Sequence, residues 1–424
     1  MAYRKVNDTS LTSIADTLRS KCGTTAPLVF PQDFNTAIES LTPFTAPSRE
    51  VMDPDEIYRT TRPAAWLPMP IPGDDEIYLL LHIIDGIDGY FAANLTFNGV
   101  CSVEFGTVLN GSFVSQDTLS PISGTRFTKS LPYQNYGNMT SEGYRQCMIR
   151  IKGNCTEAYF GKSTINERAS FIVDVSCGIP LTKVSFCLDA PSSSSSSSYQ
   201  FAVISLRYIR FVGNGGATNI SNAFFGCENL KSVSCECKNH PESLNGSFRR
   251  CRSLIAVSAN FIASFSGATT YLFDGCGISA LPNFGMTPST FYYTFYSEGC
   301  PITKITNEMF DTSNATNFQN GFAYARSLRE ILGLNISKAT GFLGTFGYCT
   351  SLSRLVFAGE TTPGGWTISL TQTALGHDAL VEMIASLPIA KAAATIDITG
   401  NPGASELTDA EIAVATAKNW TITR

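Results

Sequence analysis

Three histidines, three tryptophans and only 15% charged side chains in 424 residues leave little material for acid–base chemistry or charge-driven binding. The formal net charge is −5, and no block of Lys or Arg offsets it locally. A chain of that balance has no general attraction for phosphate backbones or anionic lipid, so nucleic acid and membrane surfaces are poor partners. Long apolar runs are missing too. The longest, IYLLLHII at 77–84, is far below the roughly 20 residues that span a bilayer, and no membrane insertion is expected. The opening MAYRKVNDTS lacks the apolar stretch of a secretory signal, so export is not expected.

Cysteine is the opposite case, with 13 in the chain. The number is odd, and Cys227, Cys251, Cys276, Cys300 and Cys349 share one position of a recurring pattern. A free Cys behaves as a small buried hydrophobe. In a reducing cytosol it stays reduced, so buried thiols rather than disulfides are expected.

The pattern is clearest in ISNAFFGCENLKSV, where Phe224, Cys227, Leu230 and Val233 are three apart. It returns as Phe248, Cys251, Leu254 and Val257, and as Phe346, Cys349, Leu352 and Leu355. Looser copies carry Phe273, Cys276, Ile278 and Leu281; Phe295, Cys300, Ile302 and Ile305; and Phe322, Ala325, Leu328 and Ile331. The six phenylalanines are 24, 25, 22, 27 and 24 residues apart, and self-similarity at that period predicts a solenoid. One repeat cannot bury its apolar edge, whereas a stack buries a continuous column. The second half of each repeat reads as a strand, as in Val257, Ala259 and Phe261. LTKVSFCLD and LRYIRFVGN read as earlier coils, and the seven serines of 192–198 as a loop thrown out between them.

The expected fold is mainly β, in four segments. Residues 1–42 read as a short N-terminal helical segment for attachment or assembly. Leu11, Ile14, Ala15 and Leu18 form one stripe, and Phe34, Ala37, Ile38 and Leu41 another. Two such helices cannot close a core alone, which leaves either a partner chain or the neighbouring domain to cover them. Residues 43–165 begin with a linker, PFTAPSR, and continue in short β-rich runs at roughly ten-residue intervals, the rhythm of a β-sandwich. Residues 166–365 are the solenoid. Residues 366–424 read as an α/β cap, with a helical stripe (Leu380, Met383, Ile384, Leu387) and a strand in TIDITGN. A capping box at Thr408 and Glu411, a staple of Leu407 and Ile412, and a last strand in WTITR complete it.

The F-x-x-C-x-x-L-x-x-V unit resembles the BspA-like class of bacterial leucine-rich repeats, over about residues 170–360. The stretch IADTLRSKCGTTAPLVFPQDFNTAIESL (14–41) resembles the N-terminal helical segment common in tail proteins of phages that infect gut Firmicutes. YRTTRPAAWLPMPIPGDDEIYLLLHI (58–83) and DITGNPGASELTDAEIAVATAKNWTIT (397–423) are similar to other segments of those multidomain proteins. The resemblance implies a virion tail or baseplate component, a receptor-binding protein or fibre assembled in the host cytoplasm. It also implies other tail proteins as partners, a homotrimer, and a host cell-surface glycan or protein as the target.

No enzyme emerges from the residues. His82 lies inside an apolar run and reads as a satisfied core residue, with no nucleophile elbow beside it. Cys227, Cys235, Cys237 and His240 are the best metal candidates by type. Their C-x-C spacing matches no common zinc module, and burial explains them better. VGNGGATNIS has clustered glycines but no helix-plus-acid sequel, and reads as a turn. DPDE (53–56) and GDDE (73–76) read as solvated loops rather than a catalytic carboxylate pair. No catalytic residue, cofactor or metal ligand is therefore expected.

Binding remains. TFYYTFYSEG (290–299) is dense in rings, and because Phe295 belongs to the ladder, Tyr292 and Tyr296 are expected to face outward. Tyr292, Tyr293, Tyr296 and Trp366 are the candidate surface-binding residues; core filler or a protomer contact is the competing role. Two other functions fit the same repeats. One is a bacterial cell-surface adhesin, which the lack of a signal or anchor disfavours; the other is a tail-borne glycan depolymerase.

Overall fold

The computed structural model describes residues 51–137, 139–161, 171–186, 203, 205–235 and 241–424. The expected helices of 1–42, the linker at 43–49 and the serine tract lie outside them. The chain is mainly β, and residues 51–424 make one compact unit.

Among the described residues helix α1 (Pro54–Thr61) comes first, and sequence explains it. Asp53 accepts a hydrogen bond from the Asp55 amide, and Pro54 occupies the first turn, where a missing N–H costs nothing. The run DPDE is thus a helix start rather than the solvated loop expected from its charge. GDDE behaves differently at its two ends. Asp74 and Asp75 are exposed in a turn, while Glu76 opens strand β1 (Glu76–Ile84) and pairs with Arg150 and Lys152.

Strands β2 (Gly89–Leu109), β3 (Ser112–Leu119), β4 (Thr125–Leu131) and β5 (Tyr144–Phe160) pair antiparallel with one another and with β1. β2 is 21 residues long and does not stay flat. Its register slips between Phe97 and Cys101, where Gly99 takes φ +85°. Its first half pairs with β4 and the end of β5, and its second half with β3 and the middle of β5. The halves fold toward each other, bringing the Phe91 and Phe105 rings to 5.9 Å.

Hydrogen bonding then runs on without a break. β6 (Phe171–Cys177) joins β1, followed in parallel by β8 (Tyr208–Phe211), β10 (Ser232–Cys235) and β11 (Ala256–Val257). On the other side β7 (Pro180–Ser185) joins β5, followed in parallel by β9 (Gly216–Asn219). The change near residue 165 is therefore one of strand direction, with no gap in the ladder.

Further along, β12 (Lys304–Thr306), β13 (Glu330–Asn335) and β14 (Arg354–Ala358) are parallel. So are β15 (Thr361–Gly364) with β17 (Ile389–Ala392), and β16 (Thr367–Ser369) with β18 (Ala394–Asp397) and β19 (Trp420–Thr423). Helices α2 (His377–Ser386) and α3 (Asp409–Thr416) precede β17 and β19. The stripe Leu380, Met383 and Ile384 is buried as the sequence predicts, and the Thr408–Glu411 capping box forms.

The three-residue spacing has a simple cause. The Cys227 amide donates to the Phe224 carbonyl, and the Leu230 amide to the Cys227 carbonyl. The same pair of bonds recurs at Phe248–Cys251–Leu254 and at Phe346–Cys349–Leu352. Successive i→i+3 turns of this kind bring every third side chain back to one side. The Phe224 amide meanwhile donates to Ser247 O of the next coil, and the Phe248 amide to Leu272 O, which tie coil to coil.

The result is a column of rings. Phe224, Phe248, Phe273, Phe295, Phe322 and Phe346 follow one another at 5.4, 5.6, 5.4, 6.1 and 5.8 Å, within 15° of parallel. Phe186 and Phe160 extend it into the antiparallel strands. Each such ring contributes roughly 2–3 kcal/mol by burial, and the contact of one ring with the next adds about 0.5–1.5. One expectation fails: β11 is two residues long, and Ala259–Phe261 turns as a 3₁₀ segment instead of alternating.

The cysteines fill the space beside the column. Cys251 Sγ lies 3.1 Å from Phe224 O and Cys349 Sγ 3.0 Å from Phe322 O, each reaching the preceding coil. Burial pushes the Cys300 and Cys349 thiols up to about 12, so they stay protonated at neutral pH. The nine thiols from Cys101 to Cys349 that the described residues contain are buried and form no disulfide. Cys235 is the correction to the all-thiol expectation: it is disulfide-bonded, its partner lying outside the described residues.

Candidate functional site

The turns around each ladder ring also shape the outer surface. Two positions before the ring, the backbone is left-handed in every coil: Asn222, Gly246, Tyr271, Tyr293, Asn320 and Gly344 all have φ between 52° and 65°. Two positions after it, the backbone is again left-handed at Gly226, Arg250, Gly275, Tyr324 and Tyr348, though not at Ser297. Glycine and asparagine are the usual tenants of such positions. A bulky side chain there costs about 1–2 kcal/mol, yet this chain places four tyrosines and an arginine in them. The coil itself does not require that choice, because neighbouring coils carry glycine in the same slots. Strain retained against stability points to a surface role.

Those tyrosines form a connected row. Tyr271 lies 4.9 Å from Tyr293, Tyr293 4.9 Å from Tyr296, Tyr296 5.3 Å from Tyr324 and Tyr324 4.6 Å from Tyr348. Tyr292 joins at 4.5 Å from Tyr293. The expected residues Tyr292, Tyr293 and Tyr296 are therefore brought together, all half-buried. Their shared face comes from turns, because 291–294 is not a strand and period-two alternation does not apply there. Trp366 is placed elsewhere. Its ring packs 4.6 Å from Phe342 and 5.5 Å from Trp420, with Nε1 buried and without a partner among the described residues.

The row leads into a cleft of about 680 Å³ lined by Arg249, Arg250, Arg252, Asp274, Tyr296 and Tyr324. Arg249 Nε donates to Asp274 Oδ2 at 2.7 Å, and its guanidinium lies 4.4 Å from the Tyr271 ring and 5.5 Å from Phe225. Burial raises the Asp274 carboxyl, while the Arg249 charge opposes that shift. The lip is a two-residue insertion: Phe295 and Cys300 are five apart instead of three, and Glu298 in the extra loop pairs with Arg326 at 2.7 Å. Tyr271, Tyr324, Tyr348 and the three arginines are not among the residues the inward pattern marks. The residue type two places either side of each ladder Phe would find the tyrosines and Arg250, whereas Arg249 and Arg252 fall outside that spacing.

A second polar cluster lies under α1, which packs across β10 and β11. Asp174 is wholly buried, and its Oδ2 accepts from Tyr58 Oη (3.0 Å) and Arg62 Nε (2.7 Å). Burial is the largest influence on its carboxyl and raises it; the Arg62 charge opposes. His82 is enclosed by the Trp66 and Tyr144 rings, each 4.8 Å away, and burial lowers its imidazole to about 4. It is a core residue as expected, though Nε2 has no partner among the described residues. The arrangement clamps a helix to a sheet.

Among the described residues no group of three metal-ligating side chains converges. Cys237 and His240, two of the four metal candidates by sequence, lie outside those residues. Set against known proteins, the chain matches no family model, no curated protein and no solved structure.

Proposed function

We propose that the chain is a structural protein of a phage tail or baseplate that meets the host surface through its repeats and catalyses nothing. In this reading the bent antiparallel strands are a β-sandwich, the coils from about 170 to 365 a leucine-rich-repeat solenoid, and the last sixty residues its α/β cap. The folding of β2 upon itself supports the first of these, and the stacked ring column with its parallel ladders supports the second. Residues 1–42 would attach the protein to other tail or baseplate proteins, and the whole would assemble as a homotrimer.

One observation carries the functional part: tyrosines and arginine hold left-handed outer positions where glycine serves elsewhere in the same column. A scaffold that only braced its neighbours has no use for that strain. Flat rings with a polar tip suit a glycan or protein on a cell surface. Phage particles labelled with a gold-conjugated antibody to the chain are expected to show label on tails. Label confined to other structures, or to the bacterial envelope of uninfected cells, overturns the proposal; the second outcome would favour the adhesin reading.

A further inference from the structure

The cleft has two chemically different ends. At one, Arg249 is fixed by Asp274 and by the faces of Tyr271 and Phe225, so its guanidinium is oriented before any ligand arrives. Arginine carries five N–H donors, and among the described residues Asp274 takes only Nε. Arg250 and Arg252 stand beside it, Arg252 with 70% of its side chain exposed and Glu228 no nearer than 3.8 Å. The carboxylates at the cleft are already engaged, Asp274 by Arg249 and Glu298 by Arg326, both at 2.7 Å. A guanidinium held flat with donors to spare is the arrangement that receives a carboxylate or phosphate in two-pronged fashion.

At the other end Tyr296 and Tyr324 offer ring faces. The hollow between the ends has a cause in the repeat. The outer slot two places after the ladder ring is Arg250, Gly275, Ser297 and Tyr324 in four successive coils, so two small residues lie between two large ones. Three coil steps at a strand-like spacing put the ends roughly 15 Å apart. That length suits a few linked sugar rings better than a single small anion.

We propose that this cleft takes an anionic saccharide, its acidic group on the arginine end and a sugar ring against Tyr296 and Tyr324. The inference deepens the host-contact reading by naming the class of ligand. The acidic group is either a carboxylate or a phosphodiester, and the two are separable by probe.

Purified full-length chain is titrated calorimetrically with tetragalacturonic acid, with an oligomer of glycerol phosphate, and with neutral maltotetraose. At least one anionic probe is expected to bind, more weakly as salt is raised, with maltotetraose at least tenfold weaker. Arg250→Gly and Tyr324→Gly, which place glycine in slots that hold it in other coils, are expected to weaken binding tenfold or more while the melting temperature stays near that of the parent. Arg252→Ala, at an exposed side chain, should weaken it about threefold and serves if either glycine variant misfolds. Absence of binding by both anionic probes overturns the inference, as does equal binding of maltotetraose or unchanged affinity in the variants. None of these outcomes depends on where the protein sits in a particle, so tail labelling fails or succeeds separately.

Discussion

Tyr348 and Phe346 sit two positions apart and answer to different demands. Phe346 is part of the ring column, and Phe346→Ala should cost about 3–5 kcal/mol in urea denaturation. Tyr348 occupies a left-handed slot on the outside. Tyr348→Gly loses one stacking contact with Tyr324 but relieves the backbone, so its net change should stay within about 1 kcal/mol. A loss as large as that of Phe346→Ala would mean the outer row is structural. His82 gives a pH-dependent counterpart. Its folded imidazole titrates near 4 against an ordinary 6.5, so the fold favours the neutral ring. That contribution, up to about 3 kcal/mol, is complete above the ordinary value and is lost as pH falls through the folded one. Unfolding midpoints compared near neutrality and near pH 4.5 should therefore fall less in His82→Phe than in the parent; equal falls would contradict it. Sequence made Tyr292, Tyr293 and Tyr296 visible because rings crowd one short stretch. Arg249 was invisible because its importance lies in partners 24–25 residues away, Phe225 before it and Asp274 after it.

At the scale of the element, the coil is defined by turns more than by strands. Gly277 shows how tightly one coil lies on the next: a Cβ there would stand 1.9 Å from Arg252 O. Gly277→Ala should destabilise by about 1–3 kcal/mol and, because Arg252 lines the cleft, weaken ligand binding as well. Thermal melts together with titration test both; an unchanged melt would show that the coils part more easily than their hydrogen bonds imply. The period and the inward residues were legible in the sequence because burial constrains them in every coil. Val257, Ala259 and Phe261 imitate a strand because two paired residues followed by a 3₁₀ turn leave an apolar alternation much like a strand's. Helix α1 is the opposite case: its acids look like a solvated loop, although Asp53 followed by Pro54 is a helix-start signal.

For the molecule as a whole, each coil is stabilised by its neighbours, which makes stability local. Trp420 is buried, lies 5.5 Å from Trp366, and donates through Nε1 to Pro388 O at 2.8 Å. Trp420→Ala should speed amide exchange at 394–397 and 420–423 while leaving 304–306 and 330–335 as slow as before. Uniform acceleration along the chain would instead indicate all-or-none unfolding. The continuity of the ladder from β1 to β11 was not legible, because it depends on which edge of an antiparallel sheet accepts the first parallel strand. Sequence fixes such pairings only through contacts it does not display.

The left-handed slots carry one more consequence. Where the slots hold tyrosine or arginine, the side chain leaves the column at its rim, so exchanging it touches neither the rings nor the thiols within. A combinatorial library randomised at 271, 293, 324 and 348, left-handed slots that already hold large, half-buried or exposed side chains, would diversify one row of surface on an invariant interior. The same freedom would let a lineage retarget its adhesive strip one residue at a time, each step leaving the spine as it was.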